Sequence, residues 1–315
     1  MHELWCYHES QWHNITGVVG NLSWKSSINE LAVTMDFEVA YSDTGYFTTA
    51  PIAEGDVISL KNGDEIFKGI ILTENRNGRS ARKYTACDFA FYLNKSKETY
   101  QFNRMNAGKA IRKICSDFDV PVSYICPLPS TITKIYTDKP LSDIIKDILG
   151  DGYYMEMRPE GLYINKPENI TTSGVFSFAE NLTPTPINKL ISNPQVTRSI
   201  EELKNSIKVI SGDEKGFKVL KTVKDNTLIN RYGLLQDVIK LEDGQDAGTV
   251  ANSELSKLAK VSVKSSIELL GDDNVRAGRY LELSESMTGI EGVYLIESVS
   301  HTLSNGVHKM KIDLG

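Results

Sequence analysis

The chain has 315 residues, 35 basic and 41 acidic side chains and a formal net charge of −6, with 40% hydrophobic and 24% charged residues. That length implies two or three domains, the ordinary apolar content excludes wholesale disorder, and the acidity argues against specific nucleic-acid binding, which needs clustered cations. No run approaches the roughly 18 apolar residues of a membrane helix, MHELWCYHESQWHN at the start has neither the basic opening nor the apolar core of a signal peptide, and four scattered cysteines (Cys6, Cys87, Cys115, Cys126) without a CxxC pair imply reduced, mostly buried thiols.

From residue 3 to about 101 the pattern is β. Residues 29–40 alternate, with Leu31, Val33, Met35, Phe37 and Val39 on one face and Glu30, Thr34, Asp36 and Glu38 on the other, as a half-buried strand requires. Shorter strands follow at 56–60, 65–75 and 79–88. They are separated by Asn62-Gly63 and Asn77-Gly78, dipeptides that tolerate the positive φ of tight hairpins. Such spacing predicts a small barrel or sandwich. Asn106 then caps a helix to about Phe118, whose stripe is Ala107, Ala110, Ile111, Ile114, Cys115 and Phe118. A second helix runs over 138–149, with Pro140 in its first turn and Gly150 after its end. Short strands at 122–125 and 132–136 and a hairpin around Pro159-Glu160-Gly161 complete an α+β insert. Residues 167–194, with Thr-Pro-Thr-Pro at 183–186, form a turn-rich connector. Strand pattern resumes near 196 and 203–210, residues 216–241 are polar and mixed, a helix spans about 246–261, and the chain ends in strands at 263–270, 279–284, 293–301 and 307–314. The fold expected is mainly β with an α+β insert: a first β module at 1–102, the insert at 103–167, a connector at 168–195, and a second β module with one helix at 196–315.

Two segments repeat. Gly55-Asp-Val-Ile-Ser-Leu60 aligns with Gly278-Arg-Tyr-Leu-Glu-Leu283, and the strand through Gly69 aligns with the strand through Gly292. Both lie at one offset, 278 − 55 = 223 and 292 − 69 = 223. The turns Asn77-Gly78 and Asn305-Gly306 correspond with five more residues, 305 − 77 = 228. The unit is Gly, strand, loop, Gly, strand, Asn-Gly turn, strand. Fixed-offset similarity marks duplication, and two copies far apart make two similar β modules, not a solenoid.

Catalytic and metal motifs do not emerge. Cys6, His8 and His13, with His2 nearby, match no zinc spacing, and strand periodicity separates His13 from the other two. His301 and His308 flank a turn and can face each other across a hairpin, with no nucleophile elbow near them. Carboxylate pairs such as Asp272-Asp273 and Glu201-Glu202 sit in polar surroundings without a cleft. The basic run at 76–83 reads as a solvated hairpin tip. The aromatic start, Trp5, Tyr7, Trp12 and Trp24, fits either core or an oligomer interface. No catalytic residue, cofactor or metal is expected.

The order of β module, α+β insert, connector and second β module, ending GRYLEL…GVYLIESVSHTLSNGVHKMKIDL, resembles the baseplate hub proteins of contractile phage tails and phage-tail-like bacteriocins (tailocins). The nearest group is the XkdQ/YqbQ-like hubs of defective prophages. T-even phage hubs, late-control D proteins and the hub half of type VI spikes are more distant. The resemblance implies a non-enzymatic homotrimer whose paired tail-tube-like β-barrel modules form a ring of six. That ring would adapt a sixfold tail tube to the trimeric central spike. It also implies a tail tube protein, a central spike protein, a LysM-type tail protein and baseplate wedge proteins as partners, no membrane, and a place in the baseplate of a virion or phage-tail-like particle assembled in the bacterial cytoplasm. The insert corresponds to a peripheral region, LysM-like in some members, and carries no evident sugar-binding signature. The alternative is a protein that binds or degrades peptidoglycan through this insert. Glu30, Thr34, Asp36 and Glu38 are candidates for the lumen lining.

Overall fold

The computed structural model describes residues 1–42, 45, 50–150, 152–166, 175–176, 185–186, 192–213, 216–242, 245–285 and 288–315. Its strands are β1 (Glu3–His8), β2 (Gln11–Asn14), β3 (Val19–Ser27), β4 (Thr34–Val39), β5 (Val57–Asn62), β6 (Asp64–Asn75), β7 (Arg82–Asp88), β8 (Lys97–Asn106), β9 (Val122–Ile125), β10 (Thr131–Pro140), β11 (Tyr154–Arg158) and β12 (Gly161–Asn165). They continue as β13 (Val175–Phe176), β14 (Thr185–Pro186), β15 (Ser192–Ser199), β16 (Ser206–Asp213), β17 (Gly216–Lys224), β18 (Gln236–Lys240), β19 (Ser262–Leu270), β20 (Tyr280–Glu285), β21 (Ile290–Ser304) and β22 (Val307–Leu314). The helices are α1 (Ala90–Lys95), α2 (Ala107–Asp117), α3 (Leu141–Leu149), α4 (Asn226–Tyr232) and α5 (Ala247–Leu258). The protein is mainly β, and no described helix is long and apolar enough to cross a membrane. Most of the connector expected at 168–195, including Thr183 and Pro184, lies outside the described residues.

The chain divides into two compact units, one of Met1–Pro194 with Ser266–Gly315 and one of Gln195–Ser265. In the larger unit the first and last parts of the chain share one sheet. The strand path is β19-β22-β21-β3-β4-β7-β6-β5-β1-β2, with β20 on β21 and β15 paired to β19; residues 195–199 of β15 and 262–265 of β19 are counted with the smaller unit. Among the described residues the path is open. The two predicted modules are therefore not separate closed barrels but consecutive stretches of one sheet, joined where β21 pairs with β3.

The α+β part has its own core, which draws on α1, α2, α3, β8, β10 and β12. Asn106 caps α2 by accepting the Lys109 N–H at 3.2 Å, and Ala110, Ile111, Ile114 and Cys115 on its apolar stripe are fully buried. The helix expected from 138 begins only at Leu141, because residues 138–140 still belong to β10, so Pro140 stands at its N-cap and not inside its first turn. Gly150 at φ +64 closes that helix, its N–H on the Lys146 carbonyl.

The alternation over 29–40 overstates the strand, because β4 begins only at Thr34. Leu31 and Ala32 turn into the α+β core, whereas Met35, Phe37 and Val39 face the sheet core. Asp88 holds the break: its carboxylate accepts the Val33 N–H (2.9 Å) and the Ala90 N–H (3.0 Å) that opens α1. Burial pushes this carboxyl up to about 8 against the pull of those two amides.

The smaller unit has the sheet β17-β16-β18, with Ile207, Val209 and Ala251 buried in its core and α5 against it. Asp246 caps α5, accepting the Thr249 N–H at 2.7 Å. The segment read as polar and mixed is ordered here as β17, α4 and β18.

Candidate functional site

The duplicated meanders have the same local geometry. Gly55 (φ +88) and Gly278 (φ +78) each end a tight turn in the left-handed region that favours glycine. The Gly55 N–H donates to the Ile71 carbonyl, and the Ile71 N–H donates back to Asp56. Gly278, Ile296 and Arg279 make the same reciprocal pair. Directly after Ile71 the β6–β7 ladder slips by one residue, from Ile71↔Ala86 to Thr73↔Thr85. The β21–β22 ladder slips at the same place, from Ile296↔Leu314 to Ser298↔Asp313. Bulges are specific local features, and one at matched positions in both copies is a stronger likeness than letter similarity.

Strand pairing shifts one part of the alignment. The turn glycines keep the 223-residue offset, but Ile71 corresponds to Ile296, 296 − 71 = 225, because the β20–β21 hairpin is two residues longer. Gly69 faces Ile58, whereas Gly292 faces Leu283. The two glycines are therefore not equivalent, and their reasons differ. A Cβ on Gly69 would strike the Cys87 carbonyl, whereas Gly292 has open space and φ +126. The third strand keeps 313 − 85 = 228. At its turns Asn305 (φ 51) and Gly306 (φ 74) are both left-handed, while at Asn77-Gly78 only the glycine is.

The joint between the copies is β3 against β21, in register from Ser27↔Ser298 to Leu22↔Leu303. Trp24 stacks on His301 with centroids 4.7 Å apart and planes 5° apart. The His301 Nε2–H donates to the Val275 carbonyl (2.9 Å), so its Nδ1 accepts from His308 Nε2–H (3.1 Å). Burial holds His301 neutral, down to about 3, and lowers His308 as well. Beside them Asp273 accepts from His2 Nε2 (2.9 Å) and Asn62 Nδ2 (2.8 Å). Burial pushes that carboxyl up, but these bonds outweigh it and hold it below its usual range. Asp273, half of a carboxylate pair expected in polar surroundings, thus ties the N-terminus and the end of β5 to the second meander. No local signal reveals this, since its partners are 271 and 211 residues away.

A second buried link was also illegible. Arg279 grips Glu156 through two 3.0 Å bonds, and Arg158 adds a third at 2.6 Å. Burial alone would raise the Glu156 pKa, but Arg279 holds it low. The Tyr154 ring fills the space where a Cβ on Gly278 would sit.

The remaining predicted residues scatter. Thr34, Asp36 and Glu38 share the polar face of β4, but Glu30 precedes the strand and does not extend that row. Asp36 accepts the Thr85 hydroxyl at 2.6 Å. Glu38 pairs with Lys83 at 3.1 Å, and hydrogen bonds from Lys83 and Asn21 hold its pKa down. With Thr73 and Asn75 they line a shallow trough. This face is therefore of mixed charge, not acidic. The N-terminal cluster does not converge. Glu9 and Ser10, both at positive φ, turn the chain, and the hairpin pairs His13 with Cys6, which brings it to the same face and corrects the separation that periodicity along one strand predicts. His8 instead contacts Asp56 at 2.7 Å, and burial pushes the Cys6 thiol up to about 12. All four cysteines are buried and unbridged. Among the described residues His2, Asp273 and His308 bring ligand atoms within 4.8 Å of one another and are the side chains placed to hold a cation. Asp273 already accepts from His2 and Asn62, and His308 Nε2 is engaged with His301, while His308 Nδ1 stands 3.7 Å from the Asp273 carboxylate.

A family model described as YqbQ-like matches residues 22–315. The YqbQ protein of Bacillus subtilis (strain 168) is 24% identical over 329 residues, covering 100% of this chain and 96% of its own. The phage-like element PBSX protein XkdQ of the same organism is 25% identical over 322 residues, covering 100% and 97%. The crystal structure of the 43 kDa tail protein of prophage MuSo2 from Shewanella oneidensis aligns with a TM-score of 0.71 at 13% identity, covering 99% of this chain and 97% of that one. At that identity the likeness speaks for the fold.

Proposed function

The chain belongs to the YqbQ-like family, and on that premise we propose that it is a structural baseplate hub of a contractile, phage-tail-type particle. Three copies form a ring that joins the sixfold tail tube to the central spike. The observation that carries this reading is the matched pair of meanders, each with its turn glycine and bulge, side by side in one open sheet. An adaptor between sixfold and threefold parts needs two quasi-equivalent faces per chain. Barrel closure is then completed by neighbouring copies, and the trough beside Asp36 and Glu38 faces the lumen. The names of two relatives, one a protein of a phage-like element and one a prophage tail protein, support a place in a tail. The tube, spike, LysM-type and wedge proteins are its proposed partners. Light scattering of the full chain and electron microscopy of intact particles test the proposal. The expected outcome is a three-chain mass and density for the protein between tube and spike. A chain that stays monomeric and is absent from tail particles overturns it. Retention on purified cell walls that is lost when residues 106–166 are deleted would favour a peptidoglycan-directed role instead.

A further inference from the structure

The likeness of the two copies extends beyond three strands. The path β3-β4-β7-β6-β5 is repeated as β15-β19-β22-β21-β20. The matched strands β4 and β19 bury alternate residues, Met35, Phe37 and Val39 in one and Ser265, Ile267 and Leu269 in the other. The copies differ in what lies on one side of the central strand. In β21 that side is used twice. Residues 290–295 pair with β20, and beyond the bulge residues 298–303 pair with β3 of the other copy. At the changeover the Glu297 carbonyl accepts the Ile28 N–H at 2.9 Å. In β6 the same side pairs with β5 as far as Ile70. Past the bulge, Thr73, Glu74 and Asn75 have β7 on one side and, among the described residues, no strand on the other. Thr73 and Asn75 are exposed. At the opposite end of the path β15, the counterpart of β3, has β19 on one side and, among the described residues, no strand on the other.

Each chain therefore holds one filled joint, β3 on β21, and the two separated halves of a second. We propose that β15 of one copy pairs with the distal half of β6 of the next copy, repeating the β3–β21 joint between chains. This rests on the ring reading and specifies its contact. Unpaired strand edges are templates for pairing, and the contact is head-to-tail, the kind that closes into a ring when the rotation allows. The occupant is a second copy of this chain because the intrachain joint already shows what that edge accepts. By the matched bulges Thr73 corresponds to Ser298 and Asn75 to Ser300. Ser300 faces Lys25 of β3, so Asn75 should face the middle of β15.

Disulfide trapping tests this on the full chain. Asn75→Cys is combined in turn with Val196→Cys, Thr197→Cys and Arg198→Cys. The native thiols are buried, and a disulfide forms only when Cα atoms lie within about 4.4–6.8 Å, so the scan reads register. One pairing should yield a band of three chains under non-reducing denaturing conditions that collapses to one chain on reduction. Asn75→Cys alone should give no such band. In the unsubstituted protein, amide exchange at 73–75 should slow when the ring forms. A three-chain species with no trapped pairing and unchanged exchange overturns the proposed edges while leaving the ring intact. Trapping that stops at two chains also overturns them, as a twofold contact. A chain monomeric in solution and absent from particles overturns both readings.

Discussion

At the scale of single residues, the two turn glycines offer a controlled comparison. Both sit at positive φ, where a side chain costs roughly 1–2 kcal/mol. A Cβ on Gly55 meets open space, whereas one on Gly278 meets the Tyr154 ring. Gly55→Ala should therefore show backbone strain alone. Gly278→Ala should add an overpacking cost of about 1–3 kcal/mol. Urea unfolding of the two variants checks this, and equal midpoints would show that Tyr154 yields freely. Tyr154 is fixed in part by Glu156, whose carboxylate Arg279 neutralises. Arg279→Leu leaves that buried carboxylate with Arg158, the Tyr154 hydroxyl and the field of Arg276, and removal of one partner from such a buried pair costs about 3–5 kcal/mol. The Arg279→Leu, Glu156→Gln double variant should recover part of the loss, which a double-mutant cycle measures.

At the scale of elements, the β3–β21 joint predicts a pH dependence. His301 is neutral in the folded chain, with a pKa lowered from 6.5 to about 3. The unfolded chain therefore binds more protons over that interval, and stability is complete above pH 6.5 and falls as pH drops toward 3. The slope is on the order of 1.4 kcal/mol per pH unit for this one group. His308, also lowered by burial, adds to the loss in the same direction, and Asp273, held low by His2 and Asn62, adds to it further at the acid end. Asp88, raised by burial to about 8, contributes the opposite slope over the same range, so the His301 part is read as a difference: in denaturation midpoints the stability of the unsubstituted protein relative to His301→Gln should decline as pH falls from 7 to 4. A difference that stays constant would place the acid sensitivity elsewhere. The elements of the chain were unequally legible. The stripe of α2 with its Asn106 cap and the start of α5 after Asp246 could be read locally, because cap and periodicity both lie within a dozen residues. The β1–β2 hairpin could not, since Glu9-Ser10 is not a dipeptide that announces a tight turn. The true start of β4 was hidden because Leu31 and Met35 are equally apolar but serve different cores. Sequence alternation cannot tell one core from another.

At the scale of the whole molecule, the repeat was visible because its turn glycines and strand texture are local, while the two-residue hairpin extension became apparent only from pairing. The shared sheet was not legible at all, since β3 and β21 are joined across most of the chain. Nor was the division at Gln195–Ser265, where a polar, mixed stretch folds around a small centre of Ile207, Val209 and Ala251. That composition has a consequence for stability. A unit of this size buries a smaller fraction of its surface than a large domain does, and most of β17 is exposed. The larger unit instead has extensive cores, among them one under β4, β5 and β6 and one in the α+β part. Local opening follows buried apolar contact density. Amides of β17 should therefore exchange well before those of β4, β6 and β21, and denaturant should release the smaller unit first, giving two transitions by exchange mass spectrometry. One transition with equal protection throughout would mean that the unit draws its stability from elsewhere in the chain.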